Sequence, residues 1–255
     1  MKLLTFNIRI DLPDDRKNDW NHRLKSVAEV INSGDYDVIG LQEPNESMLE
    51  ALMLKCPTYR YTGQPRDKRK EMTPILFNTE RIRLLSSETI WLSNTKNIPS
   101  KFPESNFNRI ATIGIFEDRR TFQMFRFVNT HLDYASGEVQ DRQMVVLLKH
   151  LNVQTSSKRL PTIIVGDFNA TLKATVHRII DQAKIASSKL SSVFENELIH
   201  ATYHSFLGNQ SGDPIDYAFF TKHFKKTSFK IITETFFQMY PSDHFPIEFS
   251  LDFLK

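Results

Sequence analysis

The sequence lacks most of the features that mark specialised classes of protein. Cys56 is the only cysteine among 255 residues, which excludes an intramolecular disulfide and a cysteine-rich metal knuckle and favours a reducing compartment. No uninterrupted apolar run approaches the roughly 20 residues that a membrane-spanning helix needs. Internal repeats and low-complexity linkers are also missing, so we expect a single domain over residues 1–255.

An excess of charge of one sign is missing as well. The chain carries 33 basic and 30 acidic residues, which gives a net charge of +3. Tight binding to duplex DNA needs many contacts between basic side chains and phosphates. The densest basic clusters, 66–70 and 222–230, are short, and Asp67 and Glu71 partly offset the first. We therefore expect no tight binding to long duplex DNA.

The apolar stretch at the beginning of the sequence is too short for the core of a secretory signal. Residues 1–6 are mostly apolar, but Asn7, Arg9 and Asp11 interrupt the run soon afterwards. We interpret this stretch as the first strand. A soluble, cytoplasmic protein is the expectation.

The order of apolar patterns predicts an α/β (α+β) fold built on two sheets. Strands and helices alternate at first, with strands over 2–10 and 36–41 and helices over 19–33 and 47–54. The middle of the chain is a series of strand patterns, over 74–77, 82–85, 89–92, 110–116 and 122–130. Further elements follow as helices over 138–151 and 171–183 and strands over 162–165, 217–221, 229–234 and 245–251. Two mixed, largely antiparallel sheets packed face to face, with helices outside each, fit this order as a four-layer α-β-β-α sandwich.

A short motif after the strand 162–165 places two polar side chains together. In Gly166-Asp167-Phe168-Asn169, the two-residue period of a strand directs Asp167 and Asn169 to one side and Phe168 to the other. A carboxylate there can order or deprotonate water, and an amide can donate to a phosphoryl oxygen. The alternative is an ordinary strand-to-helix turn in which Asn169 caps the following helix.

Glu43 follows a buried-type strand, where an isolated carboxylate is costly unless a positive group compensates it. Mg²⁺ is a natural partner because it prefers oxygen ligands and keeps several waters, so one or two carboxylates and an amide suffice. Asn7, at the end of the first strand, can supply that amide. Alternatively, Glu43 accepts a hydrogen bond from Arg9 or from a backbone amide.

A second acidic and basic pair is spread over the last third of the chain. Asp216 opens a strand and is well placed to hold His244, fixing its tautomer and leaving the other ring nitrogen free to take a proton from water. Asp243 would add a carboxylate near the metal. An Asp-His turn without function is the alternative for this dipeptide.

Two further side chains are candidates for contacts with an anion. His131 ends the strand pattern 122–130, and Arg109 precedes the strand 110–116, where it can make a bidentate phosphate contact. A structural histidine and a surface arginine are the alternatives. The polar segments 62–73 and 93–108 are candidate rims of a cleft, or else solvated connections.

Taken together and in this order, these residues resemble the endonuclease/exonuclease/phosphatase family, whose DNase I-like members are metal-dependent phosphoesterases. The resemblance covers nearly the whole chain and is closest to bacterial members, which share the strings at 90–93 and 202–204 and the loop string with Arg66, Asp67 and Glu71. It implies the four-layer sandwich and a Mg²⁺ or Mn²⁺ cofactor.

The resemblance also implies roles for the individual residues. Asn7 and Glu43 would serve the metal site, and His131 would bond the scissile phosphate. Water oriented by Asp167 and deprotonated with help from the pair of Asp216 and His244 would attack phosphorus.

The implied function is hydrolysis of a phosphoester bond in a phosphorylated small molecule or a short nucleic acid. The alternatives are a catalytically idle protein that binds a phosphorylated ligand and, among enzymes, a nuclease or a lipid phosphodiesterase.

Overall fold

The computed structural model describes residues 1–68, 70–155, 160–185 and 187–254. Arg69, part of the predicted basic cluster 66–70, lies outside the described residues. The helices are α1 (Trp20–Gly34), α2 (Glu46–Lys55), α3 (Gly137–Thr155) and α4 (Thr175–Gln182), and a 3-10 helix spans Pro13–Asn18. The strands are β1 (Lys2–Asn7), β2 (Val38–Gln42), β3 (Tyr59–Thr62), β4 (Ile75–Asn78), β5 (Ile82–Trp91), β6 (Ile110–Asp118), β7 (Gln123–His131), β8 (Thr162–Asp167), β9 (Lys184–Ile185), β10 (Ser188–Ser192), β11 (Asp216–Thr221), β12 (Phe224–Ile231) and β13 (Ile247–Phe253).

The strands form two sheets. The first has six strands in the order β12-β13-β1-β2-β4-β3, and the second has seven in the order β5-β6-β7-β8-β11-β10-β9. Among the described residues, β1 with β2 and β7 with β8 are the parallel pairs, and the other neighbouring strands run antiparallel. The prediction of two mixed, largely antiparallel sheets is confirmed.

The alternation of side chains along β1 shows how the layers are built. Leu3 packs in the larger apolar core with residues of both sheets and of α3, whereas its neighbour Leu4 packs in a second core with α1 and α2. Successive side chains of a strand point to opposite faces, so a strand that is apolar at both positions is covered on both sides. The sheets therefore face each other, with helices on their outer faces.

Several boundaries differ from the sequence-based prediction. The two strands predicted over 82–85 and 89–92 are one strand, β5, whose polar middle stays extended because it pairs with β6. β1 stops at Asn7 instead of residue 10, since Arg9 has a positive φ of 56°. β3 and the short β9 and β10 were not predicted, because strands of two to five residues leave little periodic signal.

Within the described residues, no helix has the length and apolar character required to cross a membrane.

Candidate active site

The predicted polar residues meet because several strands end at the same edge of the sandwich. In the second sheet, Asp167 on β8 lies opposite His131 on β7 and opposite Asp216 on β11. In the first sheet, Asn7 ends β1, which packs across the interface against β8. His244 forms an isolated antiparallel bridge with Tyr203 just before β13. Side chains far apart in sequence are thus fixed beside one another by strand register.

Asn7 connects the two sheets through its amide. Its Nδ2 donates to Glu43 Oε1 and to Asp167 Oδ2, both at 3.0 Å, and its Oδ1 accepts from the backbone amide of Arg9 at 3.0 Å. The second carboxylate oxygen of Glu43 accepts from the backbone amide of Ile10 at 2.9 Å. Burial raises the pKa of Glu43, but these hydrogen bonds outweigh it and the pKa is lowered overall. Glu43 is thereby held as a carboxylate.

Asp167 is the central group of the site. Burial and the charge of Asp216 raise the pKa of Asp167 to about 7. Its Oδ1 accepts from the backbone amide of Asn169 at 2.8 Å, while its Oδ2 lies 3.4 Å from His131 Nε2 and 3.8 Å from His244 Nε2. Gly166 precedes it with φ of +153°, and a Cβ there would overlap the backbone oxygen of Thr130.

His244 and Asp216 form the predicted pair. His244 Nδ1 donates to Asp216 Oδ2 at 2.8 Å, which leaves Nε2 directed toward Asp167. Burial alone would lower the pKa of His244, but the charge and hydrogen bond of Asp216 raise it well above its usual range. Asp216 itself is held by the hydroxyl of Thr202, which accepts from its backbone amide at 3.1 Å. The pair therefore presents one basic nitrogen to the cleft.

Asn169 faces the site instead of capping a helix. Its Nδ2 donates to the backbone oxygen of Leu132 and to His131 Nε2, both at 3.0 Å. The following helix, α4, begins only at Thr175, and Ala174 at its N-cap has no capping side chain. The capping alternative is therefore wrong. Asn169 has a positive φ of 50°, so the motif is a turn at the strand end.

Two residues beyond the sequence-predicted set, Arg66 and Glu71, complete one side of the cleft. Arg66 Nη1 donates to Glu71 Oε1 at 2.6 Å, and the same oxygen lies 3.6 Å from Arg109 Nη1 and 3.9 Å from His131 Nδ1. The ring of Phe107 packs against both guanidinium groups, at 4.6 Å from Arg66 and 5.3 Å from Arg109. We call Arg66, Glu71, Phe107 and Arg109 the arginine wall.

The arginine wall is buried. Arg109 is 4% exposed, so the surface-arginine alternative is wrong. Burial raises the pKa of Glu71 to about 7. Burial also lowers the pKa of His131, with Arg109 and Arg66 adding to the effect. The signal in the sequence that pointed to Arg66 and Glu71 was the loop string that they share with bacterial members of the family. Their charges alone are typical of a solvated loop.

We call the residues opposite this wall the strand-end cluster, and they are Asn7, Glu43, Asp167, Asp216 and His244. A cleft of about 570 Å³ lies between the two groups, and its lining includes Arg9, Asn169 and Asp243. Its rim carries the half-exposed rings of Tyr134 and Tyr203. Tyr203 packs edge-on against the ring of His244 at 5.1 Å. The predicted loops 62–73 and 93–108 contribute Arg66, Glu71 and Phe107 to the lining.

The donors in the cleft suit a hard divalent cation. Glu43, His131 and Asp167 offer ligand atoms within 4.8 Å of one another, as do Asp167, Asp216 and His244. Buried carboxylates favour Mg²⁺ or Mn²⁺. In the described part of the chain Asp243 joins neither group of atoms. Its Oδ1 accepts from Ser242 Oγ at 3.2 Å, and its Oδ2 lies 3.6 Å from Arg9 Nη1.

One buried side chain holds the backbone on both sides of the strand-end cluster. Arg23 of α1 donates to the backbone oxygens of Ile8, Arg9 and Pro241, at 2.5, 2.9 and 3.1 Å. Burial lowers the pKa of Arg23 to about 10. It ties the segment after β1 to the segment that carries Asp243.

A family model matches almost the whole of this chain. Residues 4–244 match the model of the Endonuclease/Exonuclease/phosphatase family. The chain belongs to this family, and both the predicted family and its DNase I-like fold are confirmed.

Solved structures of similar proteins share this fold along nearly the whole chain. A mannosyl-6-phosphatase of Bacteroides thetaiotaomicron has a TM-score of 0.92 and 25% identity, over 99% of this chain and 100% of that one. A protein of unknown function from Enterococcus faecalis has a TM-score of 0.90 and 26% identity, over 100% of both chains. 

Among curated proteins, the exoribonuclease subunit Ccr4 of the CCR4-Not complex of Yarrowia lipolytica is 24% identical over 217 residues, or 67% of this chain and 31% of the relative. The chain thus spans less than a third of the length of that relative.

Proposed function

We propose that this protein is a Mg²⁺- or Mn²⁺-dependent hydrolase of a phosphoester bond, with its catalytic residues in a single domain over residues 1–255. The observation that carries the proposal is the position of Asp167. Its carboxylate lies within 4 Å of His131 Nε2 and His244 Nε2 and accepts from the Asn7 amide. A water held there has a basic nitrogen on one side and donors for a phosphoryl group on the other.

The strand-end cluster prepares the attacking water. Asp167 Oδ2 accepts a hydrogen bond from the water, and His244 Nε2 takes up its proton as the oxygen bonds to phosphorus. Asp216 keeps the Nδ1 proton of His244 in place, which fixes the tautomer and stabilises the imidazolium that forms. Base catalysis of this kind is typically worth roughly 10² to 10⁴ in rate.

The opposite side of the cleft holds the phosphoryl oxygens. His131 Nδ1 has no hydrogen-bond partner among the described residues and can donate to a non-bridging oxygen, and the guanidinium group of Arg109 lines the same cleft. The Asn169 amide donates to Leu132 and to His131 Nε2 and would reach a second oxygen by exchanging its bond to His131. Glu43 would hold the cation, with Asn7 and Asp243 close by, directly or through water. The bound cation would neutralise charge on the phosphoryl group.

A turnover screen tests this function. Phosphomonoesters, phosphodiesters, oligonucleotides and phospholipid head groups would be offered to the protein with Mg²⁺, with Mn²⁺ and with a chelator. We expect cation-dependent release of product from at least one class and none from His244→Ala. Binding of phosphorylated ligands without turnover, in the presence of either cation, would favour the catalytically idle alternative.

Long duplex DNA is not the proposed substrate, although the curated relatives include an exoribonuclease. The net charge of +3 gives little general attraction to a polyanion. Fluorescence anisotropy with a duplex of about 30 base pairs at near-physiological salt would check this expectation. Submicromolar affinity together with Mg²⁺-dependent cutting would contradict it. The mannosyl-6-phosphatase supports a small phosphorylated substrate instead.

A cytoplasmic location also stays a prediction.

A further inference from the structure

Arg109 has an unusual environment for a buried cation. It is 4% exposed, yet its Nε has no hydrogen-bond partner among the residues that the structure describes. Its nearest carboxylate oxygens are Asp133 Oδ2, 3.5 Å from Nε, and Glu71 Oε1, 3.6 Å from Nη1. A buried group normally has its hydrogen bonds satisfied. The guanidinium group lines the cleft, so a ligand there is the natural acceptor.

Arg66 is oriented toward the same space. Its Nη1 donates to Glu71, and its backbone oxygen accepts from Trp91 Nε1 at 2.7 Å, which fixes the loop that carries it. Glu71 thus holds one guanidinium group directly and lies within 4 Å of the second. Phe107 covers both. These contacts hold the two guanidinium groups in place before any ligand arrives, which reduces the entropic cost of binding.

The arginine wall closes one end of the cleft. The space enclosed by Arg66, Glu71, Arg109 and His131 has no volume that would admit a water molecule. The mouth of the cleft lies between Tyr134, whose ring packs 5.9 Å from that of Phe107, and Tyr203, whose ring packs against His244; the two tyrosines are 58% and 47% exposed. If a phosphate binds against the wall, its organic group must point away from the wall, toward the open mouth of the cleft. A second ester group would place an uncharged, carbon-bearing oxygen against two guanidinium groups.

We propose that Arg66 and Arg109, oriented by Glu71, bind the non-esterified oxygens of a terminal phosphate, so that the substrate class is a phosphomonoester. This inference rests on the proposed function and specifies its substrate. The alcohol part lies toward the rim with Tyr134 and Tyr203. In the reaction the water oxygen bonds to phosphorus, the ester P–O bond breaks, and one proton of the water ends on the released alcohol.

The unaltered protein gives the first test. kcat/KM would be measured with Mn²⁺ for nitrophenyl phosphate and for bis(nitrophenyl) phosphate, which share one leaving group. We expect the monoester to be preferred by at least about tenfold, since it offers one more non-esterified anionic oxygen than the diester for charge-assisted hydrogen bonds. Faster turnover of the diester would overturn this inference and leave the proposed function intact. Turnover of neither ester, nor of any other class in the screen above, would overturn both.

The second test removes each cation of the wall. Arg66→Gln and Arg109→Gln should lower kcat/KM for the monoester by roughly 10- to 100-fold and that for the diester by much less. Arg83→Gln is the matched control, because Arg83 pairs with Glu117 on the surface, away from the cleft. Equal losses on both esters would overturn the inference.

A binding measurement complements the kinetics and does not require turnover. Inorganic phosphate should inhibit the unaltered protein competitively and bind each Gln variant at least about tenfold more weakly. Unchanged phosphate affinity in both variants would overturn the inference. Glu71→Gln tests the positioning role: we expect a higher KM with kcat nearly unchanged, whereas a change in kcat alone would remove Glu71 from this role.

Discussion

The strand-end cluster and the arginine wall face each other across one cleft, but they are held in different ways. In the cluster, Asp167 and Asp216 take their places from the register of adjacent strands in one sheet. Arg66 and Phe107 belong to loops, and a buried ion pair and ring packing hold them. Strand register is determined by backbone pairing over many residues, so a single side-chain change should not move the cluster. The wall depends on a few side chains and should be easier to displace.

The largest effect is expected at the centre of the strand-end cluster. His244→Ala and Asp167→Asn should each lower kcat by about 10³ or more, because one removes the base and the other the group that orients water. The melting temperature should change little, since backbone pairing holds both positions. Kinetics and thermal unfolding of the two variants check this. Melting temperatures lowered by many degrees in both variants would indicate a structural role. They would also contradict the idea that the cluster is held by strand register and not by its side chains.

Asp216→Asn should have a smaller effect than His244→Ala, because Asp216 acts through the histidine. The carboxylate raises the pKa of His244, so its removal should lower that pKa and shift the acidic limb of the kcat/KM profile to lower pH, because a general base acts only when it is deprotonated. We expect a loss of roughly 10² in kcat. A pH–rate profile of the variant checks both the size and the direction. Activity equal to that of the unaltered protein would remove the pair from the mechanism.

Glu43→Gln should weaken the binding of the cation. The amide oxygen can accept from Ile10 or from Asn7 but not from both, and it no longer supplies a charged oxygen ligand. We expect Mn²⁺ affinity to fall by at least about tenfold in a calorimetric titration. Glu46→Gln is a suitable control, because Glu46 lies on α2 in a surface pair with Lys70. Affinity equal to that of the unaltered protein would contradict the metal assignment.

Asp133→Asn tests how easily the arginine wall is displaced. Asp133 accepts from the backbone amides of Asn106, Phe107 and Ala135, at 3.2, 2.9 and 2.9 Å. The neutral amide accepts more weakly, so the loop that carries Phe107 should loosen. We expect KM to rise several-fold while kcat falls by less than about twofold. A loss confined to kcat would mean that this loop does not position substrate.

The smallest effect concerns the support behind the strand-end cluster. His204 stacks on Phe245 at 3.8 Å, and burial lowers the pKa of His204 to about 4. Because the unfolded chain takes up this proton near pH 6.5, the stabilising contribution is complete above that pH and is lost as the pH falls toward 4. Partial screening keeps it below about 2 kcal/mol.

Chemical denaturation at several pH values checks that expectation. His204→Gln should lose stability less steeply between pH 6.5 and 4 than the unaltered protein, with His22→Gln on the surface of α1 as the control. Parallel stability curves for the His204 variant and the unaltered protein would contradict it.

Much of the strand-end cluster was predictable because each residue follows or opens an apolar strand pattern. The strand period predicted that Asp167 and Asn169 face one side, and both line the cleft, although β8 ends at Asp167 and Asn169 reaches the cleft through a turn. The pairing of His244 with Asp216 was also anticipated, and His244 Nδ1 lies 2.8 Å from Asp216 Oδ2. The catalytic roles of these residues remain predictions that the variants above test.

Asn7 shows the limit of that reasoning. The sequence suggested that its amide offers an oxygen to the cation. In the structure the Nδ2 group faces the two carboxylates and the oxygen accepts from the backbone of Arg9. The direction of an amide depends on all of its neighbours at once, and those neighbours come from three separate segments.

The sequence by itself determined the family, the alternation of strands and helices and the identity of most polar groups at strand ends, because apolar periodicity and short motifs are local properties. Tertiary structure alone decided that Arg66 and Glu71 are buried beside Arg109. A loop sequence with several charges predicts solvent exposure, and only the packing of its neighbours shows otherwise. Tertiary structure also decided which end of the cleft is closed, because that depends on the packing of segments far apart in the chain.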